Sequence, residues 1–385
     1  MKYDFVVVIH RLYDKGTIKK GGVDLIVDYL LKRNNIILMI EYPLNYSQSN
    51  EMRVSQLTYG ETTPLYISRI PIRINVICWV LEFFLTLTNI FRFAGTGGII
   101  ITSDPLTTLP AVLLRKAGMY KFHYYHSVDY STDRFKNVVL NAIYLKLLKI
   151  GLKNADLVGI VTRQAAQRLT GYGVKRTVYI PNSLDFHSLD GIRKPINNRD
   201  RNSLVITCSD VSHKYLIMEL VQLTEKLKEI YPAIKLNVVG KFDPKDLYCK
   251  ELLTYTESHN LQENVIFHGQ VMRELNYQII AQSYIGLAFY DGLHSHVIYG
   301  DAIKIREYAA FGLPSVADTH TYTAVEMNEV GAGYTVANVE TAFEKVRTLL
   351  DGEQDYKSRS EAALKWSKKY DKRKLLENLY TQYFK

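Results

Sequence analysis

Short apolar runs alternate with stretches of helical periodicity along most of the 385 residues of this chain. Such alternation is typical of βα units, whose strands are parallel and buried on both faces. The sequence therefore predicts an α/β protein with parallel sheets covered by helices. The predicted strands lie at 5–9, 36–40, 98–102, 122–126, 157–162, 204–208, 236–239, 265–267, 286–289 and 314–317.

The length of the chain predicts two domains. Single hydrophobic cores stop growing at roughly 250–300 residues, so a chain of 385 residues divides most simply into two domains. The strand pattern is interrupted at 182–203, a polar segment rich in turn-forming residues, and we place the hinge there. We predict a first domain at 1–185, a second at 186–365, and a final helix at 366–385 that packs back on the first domain.

The chain is basic, with a net charge of +9 and a pI near 9.1. This charge suits an anionic partner such as a nucleotide diphosphate or a phospholipid surface. No zinc-finger, helix-turn-helix or RNA-binding motif accompanies the charge, so no nucleic-acid partner is expected. Widely spaced cysteines support neither a disulfide framework nor a zinc site, and we expect a cytoplasmic protein. They are Cys78, Cys208 and Cys249.

An aromatic, apolar segment at 74–91 has arginines on both sides, at positions 69, 73 and 92. Basic flanks around an apolar helix are typical of a helix that lies on anionic headgroups, which predicts peripheral membrane contact. The alternative is a buried helix of the first domain. A full membrane span is disfavoured because polar residues interrupt a run that is barely long enough. They are Asn75, Glu82 and Asn89.

Lys304 and Glu307 lie three residues apart in a predicted helix that ends at Gly312 and Pro314. Residues with this spacing share one helix face. The positive end of the helix and a lysine attract phosphate, and a carboxylate accepts hydrogen bonds from ribose hydroxyls. The segment therefore fits a nucleotide diphosphate sugar, although an ordinary solvated Lys–Glu pair would have the same spacing.

This segment resembles the donor-binding signature of the GT-B glycosyltransferases, especially retaining family 4, with some likeness to GT-B enzymes that act on lipid-linked glycans. The resemblance implies two Rossmann-like domains whose sheets face each other across a cleft, with a C-terminal helix crossing back to the first domain. Further segments agree with the family in order and position. They are 19–23, which resembles the glycine-rich loop under the donor phosphates, and 154–162, 178–185, 204–209 and 234–240.

The resemblance also implies a donor site. Lys214 and Lys304 would hold the diphosphate, and Glu307 would hold the ribose. Family 4 usually has a sugar-binding Glu where this chain has Tyr299, and Asp291 or Asp301 could serve instead. The family tends to place an Arg where this chain has Ser209. The complete predicted donor site is Gly21, Gly22, Ser209, Lys214, Asp291, Tyr299, Lys304 and Glu307.

Two residues near the end of a predicted strand are the catalytic candidates. His126 matches the family histidine that contacts the donor sugar or positions the acceptor. Asp129 resembles the general base of inverting GT-B enzymes that extend lipid-linked glycans, and it would deprotonate the acceptor hydroxyl. If transfer retains configuration, the leaving phosphate takes that proton and Asp129 only orients. No metal is required, because lysines and backbone N–H groups can stabilise the departing diphosphate.

Together these features predict a metal-independent glycosyltransferase of the hexosyltransferase type, acting in polysaccharide or glycoconjugate biosynthesis. It would move a sugar from a nucleotide diphosphate sugar to a glycan or lipid-linked glycan, on the inner face of the membrane. The alternatives are a nucleotide-sugar epimerase of the same fold and a non-catalytic GT-B partner subunit.

Overall fold

A computed structural model describes the chain at residues 3–14, 17–19, 21–127, 130–293 and 295–385. The chain forms two compact units, the first comprising Met1–Ile180 and Leu376–Lys385 and the second Pro181–Leu375. The main division thus falls five residues before the boundary that we place at 185 from the sequence.

The first unit is built on one sheet with the strand order β5-β4-β3-β1-β6-β7-β8-β9, to which β2 adds by pairing with β1. The strands from β3 to β9 along this path are parallel, whereas β4 and β5 form an antiparallel hairpin at one edge. Their bounds are β1 Phe5–Asp14, β2 Thr17–Lys19, β3 Ile37–Pro43, β4 Glu51–Thr58, β5 Glu61–Arg69, β6 Ile99–Thr102, β7 Phe122–Ser127, β8 Leu157–Ile160 and β9 Thr177–Tyr179.

Three of the five helices of the first unit, α3, α4 and α5, begin at residues whose side chains cap free N–H groups. The side chain of Asp104 accepts hydrogen bonds from the second and third residues of α3, and Asn137 does the same for α4. Such caps are worth about 1 kcal/mol each and set the start of a helix. The helices are α1 Gly22–Leu31, α2 Asn75–Asn89 with a π turn at Ile90–Ala94, α3 Pro105–Lys116, α4 Val138–Asn154 and α5 Arg163–Thr170.

Helix α2 fully buries mostly polar side chains and exposes much of its apolar surface. Its buried residues are Cys78, Glu82, Thr86 and Asn89, whereas Phe84 and other apolar side chains are exposed. The hydroxyl of Thr86 lies 2.9 Å from that of Tyr42 in the core. A surface helix of a globular protein normally buries its apolar face. By length and composition, Asn75–Ala94 is the one helix among the described residues that could cross a membrane, and 28% of its most apolar window is buried.

The second unit is built on a six-stranded parallel sheet with the order β12-β11-β10-β13-β14-β15. Counted from its first strand, this is the doubly wound order 3-2-1-4-5-6. The order reverses between β10 and β13, where such sheets bind their ligands. The strands are β10 Ser203–Asp210, β11 Lys235–Lys241, β12 Val265–Gly269, β13 Ile285–Ala288, β14 Ser315–Asp318 and β15 Gly333–Val336.

Helices connect these strands. They are α6 Ile217–Lys228, α7 Leu247–Ser258, α8 Arg273–Gln282, α9 Ser295–Tyr299, α10 Ile303–Ala310, α11 Tyr322–Glu329, α12 Val339–Asp351, α13 Glu353–Lys369 and α14 Lys372–Leu379. The predicted class, an α/β fold with two Rossmann-like parallel sheets, is confirmed, and each of the ten predicted strands overlaps an observed one. The prediction missed β2, β4, β5, β9 and β15.

The last ten residues belong to the first unit. The ring of Phe384 lies 5.5 Å from that of Phe5 and 5.4 Å from that of Tyr124, between ring centres. Trp366 and Tyr370, by contrast, belong to the second unit, where their rings lie 4.9 and 5.4 Å from the guanidinium carbon of Arg306. The predicted element at 366–385 is therefore divided between the two units.

Candidate functional site

Aromatic residues at the ends of two neighbouring strands surround one lysine in the second unit. Tyr215 follows β10 and Tyr290 follows β13, the two strands between which the sheet order reverses. Lys304, in the first turn of α10, places its Nζ atom 4.1 Å from the centre of the Tyr215 ring and 4.7 Å from that of Tyr290. A cation, two aromatic faces and a helix N-terminus thus meet where ligands of this fold bind.

The ammonium of Lys304 is buried without a hydrogen-bond partner in the described part of the chain. The residue is only 5% exposed, and burial lowers the pKa of its ammonium to about 8. A buried charge that lacks hydrogen bonds is costly, and an unsatisfied polar group in a native structure calls for an explanation. A bound anion would supply the missing acceptor.

Three more of the predicted donor residues lie next to this lysine. The hydroxyl of Ser209 is 3.1 Å from that of Tyr215, and the Nζ atom of Lys214 is 5.3 Å from the centre of the same ring. The backbone N–H of Asp291 donates to the carbonyl oxygen of Lys214 at 3.0 Å, which joins the loops after β10 and β13. The structure therefore brings Ser209, Lys214, Asp291 and Lys304 together.

Glu307 lies one turn beyond Lys304 on α10 and is partly buried. Burial raises the pKa of its carboxyl to about 7, although the positive charges of Arg273 and Lys304 oppose the shift. Near neutral pH this group can therefore gain or lose a proton. Tyr299 is the last residue of the short helix α9 and is also partly buried.

Asp301, the alternative to Asp291 in the sequence analysis, is engaged within the fold. Its carboxylate accepts hydrogen bonds from Arg306 at 2.8 Å, from Thr323 at 2.6 Å and from the backbone N–H of Asn182 at 2.5 Å. A buried carboxylate with three donors is occupied and holds neighbouring segments in place. Asp291 is the more accessible of the two acids.

In the first unit, Gly21 precedes α1 and Gly22 is the first residue of that helix. The backbone N–H of Gly21 donates to Asp24 at 2.5 Å, and the other carboxylate oxygen of Asp24 accepts from Arg11 at 2.6 Å. No described atom lies within 4 Å of the position that a Cβ of Gly21 would take. The loop is thus open on that side, but its first N–H is already bonded to an acid.

The structure describes one of the two catalytic candidates. Asp129 lies outside the described residues, so its predicted role as a base stays a prediction. His126 lies on β7 and is 2% exposed, and its Nδ1 atom is 2.9 Å from the hydroxyl of Tyr124. The role proposed for His126 also stays a prediction.

The sequence analysis missed a buried cluster of charges in the first unit. His10, near the end of β1, lies 2.8 Å from Glu82 through Nε2 and 2.9 Å from Asp104 through Nδ1. Burial lowers the pKa of His10, but Asp104 and Glu82 outweigh that effect and raise it well above its usual range. Because β1 lies between β3 and β6, this cluster marks the switch point of the first sheet. The signal in the sequence was a histidine directly after the apolar run 5–9.

Within the described ranges, no group of three or more His, Cys, Asp or Glu side chains is arranged to hold a metal ion. Among the predicted donor residues, Lys214 and Lys304 carry positive charge that could neutralise a phosphate.

Comparison with known protein families gives a match for the unit that contains Lys304. Residues 190–366 match the family model described as glycosyl transferases group 1. This match covers less than half of the chain and lies within the second unit. The predicted class of enzyme, a glycosyltransferase, is therefore confirmed, while the finer assignment to family 4 stays a prediction.

Solved structures of similar fold span the whole glycosyltransferase chain. A sucrose-phosphate synthase from Thermosynechococcus elongatus is 15% identical, with 99% of each chain covered and a TM-score of 0.67. An α,α-trehalose-phosphate synthase (UDP-forming) from Burkholderia xenovorans is 12% identical, with 99% of this chain and 98% of that chain covered and a TM-score of 0.71. At these identities the likeness establishes the GT-B fold alone. A search of curated protein sequences found no match.

Proposed function

We propose that this glycosyltransferase takes a nucleotide diphosphate sugar and transfers the sugar to a glycan or lipid-linked glycan without a metal ion. The observation that carries the proposal is the ammonium of Lys304, which is buried at the switch point of the second sheet with no hydrogen-bond partner among the described residues. A diphosphate at this point would receive the hydrogen bonds that the ammonium lacks.

The neighbouring residues supply the other parts of a donor site. Lys214 adds a second cation, so that the diphosphate leaving group is neutralised as its charge develops. The carboxylate of Glu307 would accept the ribose hydroxyls, as carboxylates do in other nucleotide sites of this architecture. The hydroxyls of Tyr215 and Ser209 bond to each other, and that of Ser209 also donates to Asp210, so either would reach a phosphate oxygen only by exchanging one of these bonds. With two cations present, this account needs no divalent metal.

For the chemical step, the proposal assigns the acceptor to the first unit. If transfer inverts the anomeric configuration, Asp129 removes the proton of the acceptor hydroxyl. If transfer retains the configuration, the departing diphosphate takes that proton, and Asp129 with His126 positions the acceptor. The two versions differ in the product anomer, which an NMR spectrum of the product distinguishes.

The exposed apolar side chains of α2 and of the turn after it support the further proposal that the enzyme works on the cytoplasmic surface of an anionic membrane. Phe84 and Phe91 are 58% and 60% exposed, whereas Glu82 is 3% exposed. An apolar face turned outward is favourable when a lipid surface covers it. The exposed arginines Arg73 and Arg92 would then meet anionic headgroups.

The proposal is tested with a panel of nucleotide diphosphates and their sugar conjugates. Ligands that bind only the folded state raise its melting temperature, so a shift with one of the UDP, GDP or ADP series identifies the base. Hydrolysis of the matching sugar conjugate then shows turnover. A chain that binds no member of the panel contradicts the proposed donor site, and one that binds donor without any turnover contradicts the proposed transfer.

A further inference from the structure

An apolar groove runs between three helices of the first unit. Helices α2, α3 and α4 enclose a cavity of about 340 Å³, and all twelve of its lining residues are apolar or aromatic. For comparison, an apolar cavity of about 150 Å³ can hold a benzene molecule. This groove therefore has room for a longer stretch of hydrocarbon. Its wall includes Trp79, Phe83, Leu106, Phe135, Ile143 and Leu147.

The groove continues into exposed apolar surface on both sides. On α4, Ile143 is 50% exposed, and on α2, Val80 is 58% exposed. Phe135 joins the two helices, since its ring centre lies 5.6 Å from that of Trp79 and 5.7 Å from that of Tyr144. Helix α4 is thus part of the same outward-facing apolar surface as α2, although the sequence analysis identified only α2.

The charges around the groove are mostly positive. Residues 69–116 and 130–155 contain ten lysines and arginines and three acids, of which Glu82 and Asp104 are bonded to His10 and Asp133 is exposed. Three of the lysines lie along α4 itself, at positions 146, 149 and 153. An apolar groove with a rim of exposed cations is complementary to a hydrocarbon chain that carries an anionic headgroup.

One end of the groove lies at the ligand-binding edge of the sheet. Leu106 is in the first turn of α3, immediately after the carboxyl end of β6, and Phe135 is in the segment that follows β7. Ligands of parallel sheets bind beyond the carboxyl ends of the strands. A chain in this groove can therefore place its polar end where an acceptor is needed, which a lipid that merely anchors the protein need not do.

We propose that the groove between α2, α3 and α4 binds the hydrocarbon chain of a single lipid phosphate, which is the lipid part of the sugar acceptor. The phosphate lies on the cationic rim, and the sugar or hydroxyl to be extended lies at the carboxyl edge of the first sheet. This inference rests on the proposed glycosyl transfer and specifies its acceptor class as lipid-linked.

The test uses the fluorescence of Trp79 in the groove wall. The chain has two tryptophans, so the Trp366→Phe variant leaves Trp79 as the only one. We expect a brominated dodecyl phosphate, added below its micelle concentration and without nucleotide, to quench this fluorescence to saturation. Ile143→Lys and Val80→Lys, which place a charge at the groove, should each weaken the apparent affinity at least about tenfold.

Val139→Lys is the matched control, because it adds the same charge on α4 one turn away from Ile143 and outside the groove wall. It should leave quenching within about twofold of the parent, and all variants should keep the parent melting temperature. Equal weakening by Val139→Lys and Ile143→Lys would overturn the groove assignment. Quenching by brominated phosphatidylglycerol vesicles but not by the monomeric alkyl phosphate would also overturn it, since the surface would then contact a bilayer without selecting one chain.

The lipid assay separates this inference from the proposed function. A chain that binds the alkyl phosphate but no nucleotide would refute glycosyl transfer and leave the groove as a lipid site. A chain that binds nucleotide but shows no quenching would refute the groove and leave the donor site in place.

Discussion

The Nζ atom of Lys304 lies 4.1 Å from the ring centre of Tyr215, and no described residue accepts a hydrogen bond from it. The aromatic ring offsets part of the cost of burying the ammonium, since a cation over an aromatic face gains roughly 0.5–2 kcal/mol. It does not replace the hydrogen bonds that water would give. The arrangement thus costs stability in the free protein, as is common where a site is built for a charged ligand.

Replacing Lys304 by Met should therefore stabilise the free protein while abolishing nucleotide binding. The pKa of this lysine is about 8 in the folded chain, below its ordinary value of 10.5. The unfolded chain therefore binds more protons than the folded chain between these two pH values. The loss of folding free energy caused by the buried charge is accordingly full at pH 7 and decreases as the pH rises towards 10.5. We expect a gain of about 1–3 kcal/mol at pH 7, measured by thermal unfolding with and without nucleotide.

Lys345→Met is the matched control for this change. Lys345 also contacts a tyrosine, with its Nζ atom 4.8 Å from the ring centre of Tyr334, but it lies on α12, away from the switch point. This variant should bind nucleotide as the parent does. If both variants lost nucleotide affinity to the same extent, the assignment of Lys304 to the diphosphate would be wrong.

Glu307→Gln should change how stability and donor binding depend on pH. The carboxyl has a pKa of about 7 in the folded chain and 4.5 ordinarily, so the unfolded chain loses its proton first and stability falls as pH rises from 4.5 to 7. The variant lacks this fall and should exceed the parent by about 1–3 kcal/mol at pH 8, with little difference at pH 4.5.

Donor affinity provides the functional half of the same prediction. If the carboxylate holds the ribose, the affinity of the parent for the selected nucleotide should rise between pH 6 and pH 8, whereas that of Glu307→Gln should be lower and less dependent on pH. Calorimetry at both pH values measures the difference. Identical pH profiles for the two proteins would remove Glu307 from the ribose site.

Replacing Phe84 and Phe91 together by Ser should release the enzyme from anionic vesicles without unfolding it. Both rings are more than half exposed, so little packing is lost, whereas burial of each ring in lipid is worth about 1.5–3 kcal/mol. Sedimentation with vesicles measures the bound fraction. The control is the pair Tyr59→Ser and Ile67→Ser, which removes apolar surface of similar exposure from the β4–β5 hairpin. If the control pair released the enzyme from vesicles and the Phe84 and Phe91 pair did not, the membrane surface would not be on α2.

His10→Ala should destabilise the first unit by roughly 3–5 kcal/mol, because it leaves Glu82 and Asp104 buried without their cation. The raised pKa of His10 also means that its contribution is complete below about pH 6.5 and is lost as pH rises through its folded value. Urea unfolding followed by Trp79 fluorescence in the Trp366→Phe chain measures both effects. His187→Ala, at an exposed histidine, should cost less than about 0.5 kcal/mol. A comparable loss at both sites would contradict the buried ion pair.

The sequence predicted the strands that have a continuous apolar run, whereas the missed strands β4, β5, β9 and β15 are only partly buried. Every strand with a continuous apolar run was found, including the run around Val7 and the run around Val238. The hairpin β4–β5 was missed because its strand β4 alternates buried Met52 and Val54 with arginine and glutamine. Partly buried strands near the edge of a sheet, such as these, have a periodic pattern too weak to be separated from their polar neighbours.

The site was predictable where spacing along one element determines proximity. Lys304 and Glu307 share a helix face, and the sequence alone placed them together. The contact of Tyr215 and Tyr290 with Lys304 could not be predicted in this way, because the two rings lie in segments that follow two different strands. The outward apolar face of α4 was missed for a related reason. The lysines of α4 alone indicate an ordinary solvated helix, and the groove is formed with residues of other elements.

The most direct test of the central claim is a transfer assay with the nucleotide sugar that the binding panel selects. The full chain is incubated with this donor, anionic vesicles and a long-chain lipid phosphate that carries one sugar, and the lipid fraction is analysed by mass spectrometry. The account predicts a product heavier by one sugar residue, formed by the parent and lost in Lys304→Met. Release of free sugar with no change in the mass of the lipid would contradict it.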